Sequence, residues 1–389
     1  MIATSTRHFG GAAPPTRHAT RVDVVRHRDE KETPRGRGAT ISPANRYARL
    51  RREDYDDGWR QSEEAAPPLQ TIVAEDRSRR VITYNDSPDV GFDRSINPYR
   101  GCEHGCVYCF ARPTHAWLDL SPGLDFESRL FYKPEAPTQL RRELGARGYS
   151  CAPIAVGINT DAYQPIERRL NLTRAVLKVL VDADHPFLIV TKSALIERDI
   201  DLIAKAARRG LAAVAVTITT LNRALARRME PRAAAPQRRL ATIGSLARAG
   251  IPVTVMVAPV IPALTDMEME TILKHARTAG AHHASYALLR LPHEIREMFT
   301  DWLEKQVPSK AHHVLRRVRD TRGGALYDGA FHRRMTGGGV YADIIRDRFE
   351  LATRRLGFSA ATDFDTATFR PPRSDDQLDL FRSDDEARD

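Results

Sequence analysis

Residues 95–112 read SINPYRGCEHGCVYCFAR, which places Cys102, Cys106 and Cys109 in the pattern C-x3-C-x2-C on a loop that also carries Gly101 and Gly105. Thiols so close in sequence do not pack as three separate core residues. They suit the ligation of one [4Fe–4S] cubane, each thiolate taking a different iron and the fourth iron left open. An open iron is a place where a substrate or cofactor binds and receives an electron, whereas a pure electron carrier normally supplies four cysteines. The competing reading is a zinc site completed by His104 or His115, but zinc ligands usually come as two separated pairs. Cys151, the remaining cysteine, stands apart, and the pattern is that of a metal site, not of a disulfide framework.

Outward from this loop, apolar runs alternate with amphipathic ones. Strands are expected at 154–158, 187–190, 212–218, 253–257 and 284–289, preceded by one leading into the cysteine loop. Helices are expected at 137–144, 172–183, 199–209, 237–249 and 267–279. Gly210 and Gly250 stop two of these helices, as glycine does just past a helix end. Such alternation predicts an α/β fold with a parallel sheet, either doubly wound or closed into a full or partial barrel, and periodicity does not choose between them. Residues 293–358 read as helical, with a Gly337–Gly339 loop before a helix over 341–356.

The cysteine pattern, with Tyr108 just before the last ligand, resembles the signature of the radical S-adenosylmethionine superfamily. The resemblance covers residues 90–300 and implies a partial (β/α)6 TIM-like barrel with the cluster loop after its first strand. It also implies a [4Fe–4S] cluster on Cys102, Cys106 and Cys109, S-adenosylmethionine bound at the open iron, and a reductase as electron donor. Reductive cleavage of that cofactor releases a 5′-deoxyadenosyl radical that abstracts a substrate hydrogen. The strings NTDAYQPIERRLNLTR, MEPRAAAPQRRLATI and VMVAPVIPALTD are similar to the branch that includes spore photoproduct lyase, which points to DNA repair or nucleic-acid modification and to DNA as partner. Spore photoproduct lyases carry a catalytic cysteine near the end of the second strand, where this chain has Ile158-Asn159-Thr160-Asp161. That departure puts the lyase reaction itself in doubt. The count of one spare cysteine also excludes the auxiliary clusters of peptide maturases and methylthiotransferases.

In (β/α) barrels the chemistry gathers at the strand ends. By that rule Asn159, Thr160 and Asp161 at the second strand, and Thr217 and Thr219 at the fourth, are candidate cofactor contacts, although Asp and Thr also cap helices. Lys192, after the third strand, could hold a carboxylate or phosphate and is the candidate catalytic side chain. Tyr99 and Tyr108 could stack near an adenine, and Arg290 closes the sixth strand. Cys151 precedes the second strand and is expected as a small buried apolar residue at the closed end.

With 389 residues, 42% of them hydrophobic, the chain can bury a sizeable core, and a wholly disordered protein is excluded. Its longest apolar runs fall short of the roughly 20 residues that cross a bilayer, so a cytoplasmic protein without membrane contact is expected. Sixty basic against 50 acidic residues give a formal charge of +10, which permits a polyanionic partner without proving one. The expected domains are a basic disordered arm over 1–67, the radical core over 68–300, a helical extension over 301–370 and an acidic tail over 371–389. Within that tail Gln377-Leu378-Asp379-Leu380-Phe381 is similar to the bacterial sliding-clamp-binding motif and would tether the protein to DNA. Two alternatives stay open, a non-catalytic Fe–S redox-sensing or DNA-recruitment module and a radical enzyme that modifies RNA or protein.

Overall fold

The computed structural model describes residues 36–47, 69–360 and 363–372, all within the unit Thr33–Asp389. Among the described residues ten strands form two sheets: β1 (Ile72–Glu75), β2 (Ile82–Tyr84), β3 (Arg94–Ile96), β4 (Tyr99–Arg100), β5 (Arg129–Tyr132), β6 (Ile154–Val156), β7 (Phe187–Thr191), β8 (Ala212–Thr217), β9 (Val253–Val260) and β10 (His283–Leu288). The larger sheet runs β10-β9-β8-β7-β6-β3-β2, parallel throughout except for β2, which pairs antiparallel with β3 at the edge. The six parallel strands with their crossover helices make the expected partial barrel, and the expected strand and helix positions agree with those found. The small sheet β1-β5-β4 lies beside the cysteine loop and has no counterpart among the expected strands.

Why these residues form a barrel is visible in their burial. In β7, Phe187, Ile189 and Thr191 are buried while Leu188 and Val190 are half-buried, and β9 alternates likewise, Val253, Val255 and Val257 against Thr254, Met256 and Ala258. The buried aliphatic set packs under the helices, including Leu177 and Leu180 of the helix Leu172–Asp182 and Ile243 and Leu246 of the helix Pro236–Arg248. The half-buried set lies on the opposite, concave face of the sheet and is only partly covered. β8 is buried along its whole length; Ala212, Val214 and Val216 join the core under the helices, and the alternate positions on the concave side are the small residues Ala213 and Ala215 and, at the strand end, Thr217.

The outermost parallel strands, β3 and β10, do not pair with each other. Residues 332–335 cross between their neighbourhoods: His332 N and the Arg334 guanidinium donate to Asp89, in the loop before β3, and Leu288 N of β10 donates to Met335 O at 2.8 Å. The helix Val340–Leu356 follows, as the pattern predicts, and packs on the helix Met269–Ala279 through Arg348 and Glu270 at 2.7 Å.

Part of the expected N-terminal arm is built into the fold. Over 36–47 the chain runs as an extended strap across the cysteine loop. Gly38 N and Ala39 N donate to the Glu127 carboxylate at 2.9 and 2.8 Å, Thr40 Oγ1 donates to Asp301 at 2.6 Å, and Asn45 Nδ2 donates to Ala116 O at 3.0 Å. Its polar, Pro- and Gly-rich composition hides this, because the contacts, from backbone and side chains alike, are made with partners distant in the chain. Residues 1–35 and 48–68 of the arm, and the Gln377–Phe381 motif, lie outside the described residues.

Gly38 lies against Gly105 of the cysteine loop so tightly that a Cβ there would come within 1.8 Å of the Gly105 carbonyl oxygen. The blocking atoms belong to backbone, not to the flexible end of a side chain. Gly38→Ala is therefore expected to destabilise the protein by about 1–3 kcal/mol, measured as a lowered thermal midpoint, and an unchanged midpoint would remove the strap from the structural account.

Candidate radical cofactor site

The cysteine loop leaves β4 at the mouth of the barrel and is held by backbone bonds. Cys102 N donates to Phe126 O at 2.9 Å, Val107 N to Met229 O at 3.0 Å, and Cys109 N to Cys106 O at 3.2 Å. Cys102 and Cys106 are buried and Cys109 is half-buried; all three are free thiols. Burial pushes the Cys102 thiol well up and Cys106 to about 12, and in both the neighbouring thiols add to the rise, so the three sulfurs share one locality. Among the described residues no three His, Cys, Asp or Glu side chains gather closely enough for a single metal ion. A cubane asks instead for three sulfurs spread over three irons, a soft-donor set that these thiols supply.

The histidines of the zinc reading are engaged elsewhere. His104 Nδ1 lies 3.3 Å from Asp161, and His115 Nε2 lies 2.9 Å from the Arg129 carbonyl while its ring packs edge-on against Phe126.

Four carboxylates fasten the loop from below and behind. Glu127, fully buried, receives Gly38 N, Ala39 N and the Arg112 guanidinium. Arg112 also donates to Cys106 O at 2.8 Å, so the pair ties loop to strap. Glu103 accepts from Arg232 and from Thr71 Oγ1, each at 2.7 Å, and its backbone N donates to Gln164 Oε1 at 2.8 Å. Glu230 receives Arg239, the Tyr108 hydroxyl and Thr219 Oγ1. Asp161 receives Thr191 Oγ1 at 2.8 Å, Lys192 N at 2.7 Å and Tyr163 N at 2.9 Å, besides His104.

These bonds divide the expected cofactor contacts into two groups. Asp161 is fully occupied by groups of the chain itself. Thr160 Oγ1 donates to Tyr99 O at 2.9 Å, Thr219 is bound to Glu230, and Tyr108, 6% exposed, points its hydroxyl into the same network. Asn159, Thr217 and Lys192 differ. The Asn159 side chain is exposed at the mouth, and among the described residues neither it, the Thr217 hydroxyl nor the Lys192 ammonium donates or accepts a side-chain hydrogen bond. Lys192 Nζ stands 6.0 Å over the Tyr108 ring, and although burial opposes its charge, Cys106 and Glu230 hold the ammonium above the ordinary lysine value. Tyr99 does not reach the mouth: its ring is in the core and its hydroxyl binds Glu167. Cys151 is half-buried just ahead of β6, at the closed end as expected but less buried, and burial raises its thiol to about 11.

Residues 96–276 match the family model described as the Radical SAM superfamily. The chain carries a radical SAM domain. An uncharacterized protein of Mycobacterium tuberculosis is 39% identical over 219 residues, 56% of this chain and 64% of that protein; an uncharacterized protein of Methanocaldococcus jannaschii is 31% identical over 173 residues, 44% and 62%. The chain thus spans less than two thirds of the length of either of these relatives. Among solved structures, spore photoproduct lyase complexed with dinucleoside spore photoproduct superposes with a TM-score of 0.52 at 15% identity, over 74% of this chain and 80% of that one. A tyrosine-to-phenylalanine variant of the same lyase gives the same score. At that identity the likeness is one of fold. Among the described residues no helix is long and apolar enough to cross a membrane.

Sequence reasoning missed Glu127, Glu230, Arg112 and Arg239, the buried charges that hold the loop. Glu230 follows from the geometry as the most consequential. Burial works against its charge, but Arg239 and Lys192 outweigh it and hold the carboxyl at about 2. A carboxyl depressed in the fold stabilises above its unfolded value, about 4.3, and loses that contribution as pH falls toward about 2. Glu230→Gln, which leaves Arg239 buried beside a neutral amide, is expected to cost about 3–5 kcal/mol at neutral pH. Below about pH 3 the gap to the native protein should narrow in chemical denaturation; a gap independent of pH would mean that Glu230 is not ionised in the fold.

Proposed function

We propose that this protein binds a [4Fe–4S] cluster through Cys102, Cys106 and Cys109, cleaves S-adenosylmethionine reductively, and directs the radical at DNA or a nucleotide lesion. The observation that carries the reading is the convergence of three free thiols at the mouth of an open parallel barrel, inside the segment that matches the family model. When bound, the cluster supplies the electron that breaks the sulfonium C–S bond of the cofactor.

The protein's own residues then have distinct tasks. Lys192, an ammonium beside Cys106 with no ion-pair partner among the described residues, is placed to hold the cofactor carboxylate; Asn159 and Thr217 offer uncommitted polar groups at the ends of β6 and β8. Asp161, Thr160, Thr219 and Tyr108 act as positioning residues, because their polar atoms are already bound within the chain. The open concave face of Leu188, Val190, Thr254 and Met256 leaves room for a reacting group and lines it mainly with apolar atoms. Such a lining disfavours water in the space where the radical would form.

DNA as substrate draws support from the +10 charge and from the fold shared with a lyase whose structure holds a dinucleoside spore photoproduct. The segment 157–161, GINTD, has no cysteine at the strand end, so a reaction that needs a thiol donor there is not proposed. A reductase as electron donor, a cytoplasmic location, the clamp tether through Gln377–Phe381 and the domain limits belong to the same proposal.

Anaerobically reconstituted protein with dithionite should convert S-adenosylmethionine into 5′-deoxyadenosine, and alanine at any of the three cysteines should abolish the product. Product formation that survives the triple variant would overturn the assignment. Lys192→Ala should weaken cofactor binding by about tenfold, the loss of one charge-assisted contact, while leaving iron content at the native value; Asp161→Asn should instead lower iron retention. Calorimetry and iron analysis separate the two, and the opposite pattern would exchange their roles.

A further inference from the structure

At the far side of the mouth from Lys192 stand two arginines with no carboxylate partner among the described residues. Arg290 follows β10 at its C-terminal end. Its Nη1 lies 3.4 Å from the thioether sulfur of Met335, its Nε is buried without a partner, and its guanidinium carbon lies 4.9 Å from the centre of the Phe110 ring. Arg322, 3% exposed, donates to the carbonyls of Leu289 and Arg333 at 2.9 and 2.6 Å, and its Nε is also unpartnered. Burial first, and then the like charge of Arg290, pull Arg322 down to about 10. The acid that faces the pair, Asp328, lies 3.3 Å from Arg333.

A pair of buried or half-buried guanidinium groups that repel each other and meet no anion is unfavourable unless something else supplies the negative charge. Phe110 directly follows the cluster ligand Cys109, and its ring is 38% exposed. An anion bound by Arg290 would lie beside the cysteine loop. It is not the group that Lys192 is placed to hold: β7 and β10 are separated by two strands, so three strand spacings, about 14 Å, divide the two cationic points. S-adenosylmethionine carries one carboxylate, and Lys192 answers it. The second point belongs to the substrate.

We propose that Arg290, backed by Arg322 and braced on the ring of Phe110, binds a backbone phosphate of a nucleic-acid substrate and sets its nucleotide over the mouth of the barrel. The proposal rests on the DNA reading above and gives it a site. A planar guanidinium fixed on an aromatic face presents its N–H fork to phosphate oxygens in a preformed geometry, which an ammonium would not do. The exposed ring beside it offers a sequence-independent surface for a base.

The test uses full-length, anaerobically reconstituted protein and a fluorescein-labelled single-stranded 20-mer, with anisotropy followed over a range of salt. Arg290→Ala should weaken binding about tenfold at low salt and make the slope of log K against log salt shallower by about 0.7, the signature of one lost phosphate. Arg290→Lys should recover the slope but only part of the affinity. Iron content and circular dichroism, measured in parallel, identify a variant that failed to fold, and the lysine variant then carries the comparison. Native affinity and slope in Arg290→Ala would overturn the phosphate site while leaving the DNA reading intact. Weakened S-adenosylmethionine binding in Arg290→Ala with oligonucleotide binding unchanged would place the guanidinium on the cofactor. An acidic peptide that competes as well as the oligonucleotide would assign it to a protein substrate. A native protein that binds no oligonucleotide at all would end both proposals, while 5′-deoxyadenosine formation would still stand on its own test.

Discussion

Four donors converge on the carboxylate of Asp161, and the arrangement of the site depends on them. Two come from the end of β7, the Thr191 hydroxyl and the Lys192 amide; one is the Tyr163 amide, from the turn after β6; the last is His104, in the middle of the cysteine loop. One buried side chain thus joins two strand ends to the loop that carries the thiols. Burial disfavours its charge, but His104 and the amides more than compensate and hold the carboxyl at about 2, so the anion persists through the whole neutral range. A buried carboxylate with this many donors is specific as well as stable: removing any one partner leaves the charge short of a bond in a medium that does not replace it.

The same device recurs around the loop. Glu127, Glu103 and Glu230 each sit opposite an arginine and also take backbone or hydroxyl donors, and each carboxylate has a partner distant in the chain, Gly38, Arg232 and Tyr108 respectively. Exposed ion pairs would contribute little. Buried ones act differently, because the penalty for breaking one is far greater than the net gain from forming it, so they define one arrangement against all others. The loop has little apolar mass of its own, Val107 and Tyr108 being its main anchors in the core. Its geometry is imposed by charge from outside, and the thiols are presented before any iron arrives.

The fold is legible where the chain obeys periodicity. The strands over 187–191, 212–217 and 253–260 are apolar runs buried under amphipathic helices, and such runs announce themselves. The spacing of Cys102, Cys106 and Cys109 is equally plain, since close thiols have few uses. What escapes is pairing at long range: Gly38 with Glu127 across 89 residues, or Tyr108 with Glu230 across 122, leaves no periodic trace. The strap over 36–47 is hidden for the same reason, as its bonds, two of them from the backbone amides of Gly38 and Ala39, reach partners far along the chain. Conversely, Thr160, Asp161 and Thr219 stand out in the sequence as polar residues at strand ends. The structure shows that such positions serve two needs, since a strand end must satisfy its own loop before it can serve a ligand.

The central claim is that three thiols, preset by buried carboxylates, hold a cluster with one iron open to S-adenosylmethionine. Electron paramagnetic resonance of the dithionite-reduced, reconstituted protein tests it most directly, by comparing the spectrum before and after the cofactor is added. The account predicts an S = 1/2 signal of a reduced [4Fe–4S] cluster whose g-values shift on addition. A cluster signal that stays unchanged with saturating cofactor, or reconstituted protein that holds zinc and no iron, would contradict it.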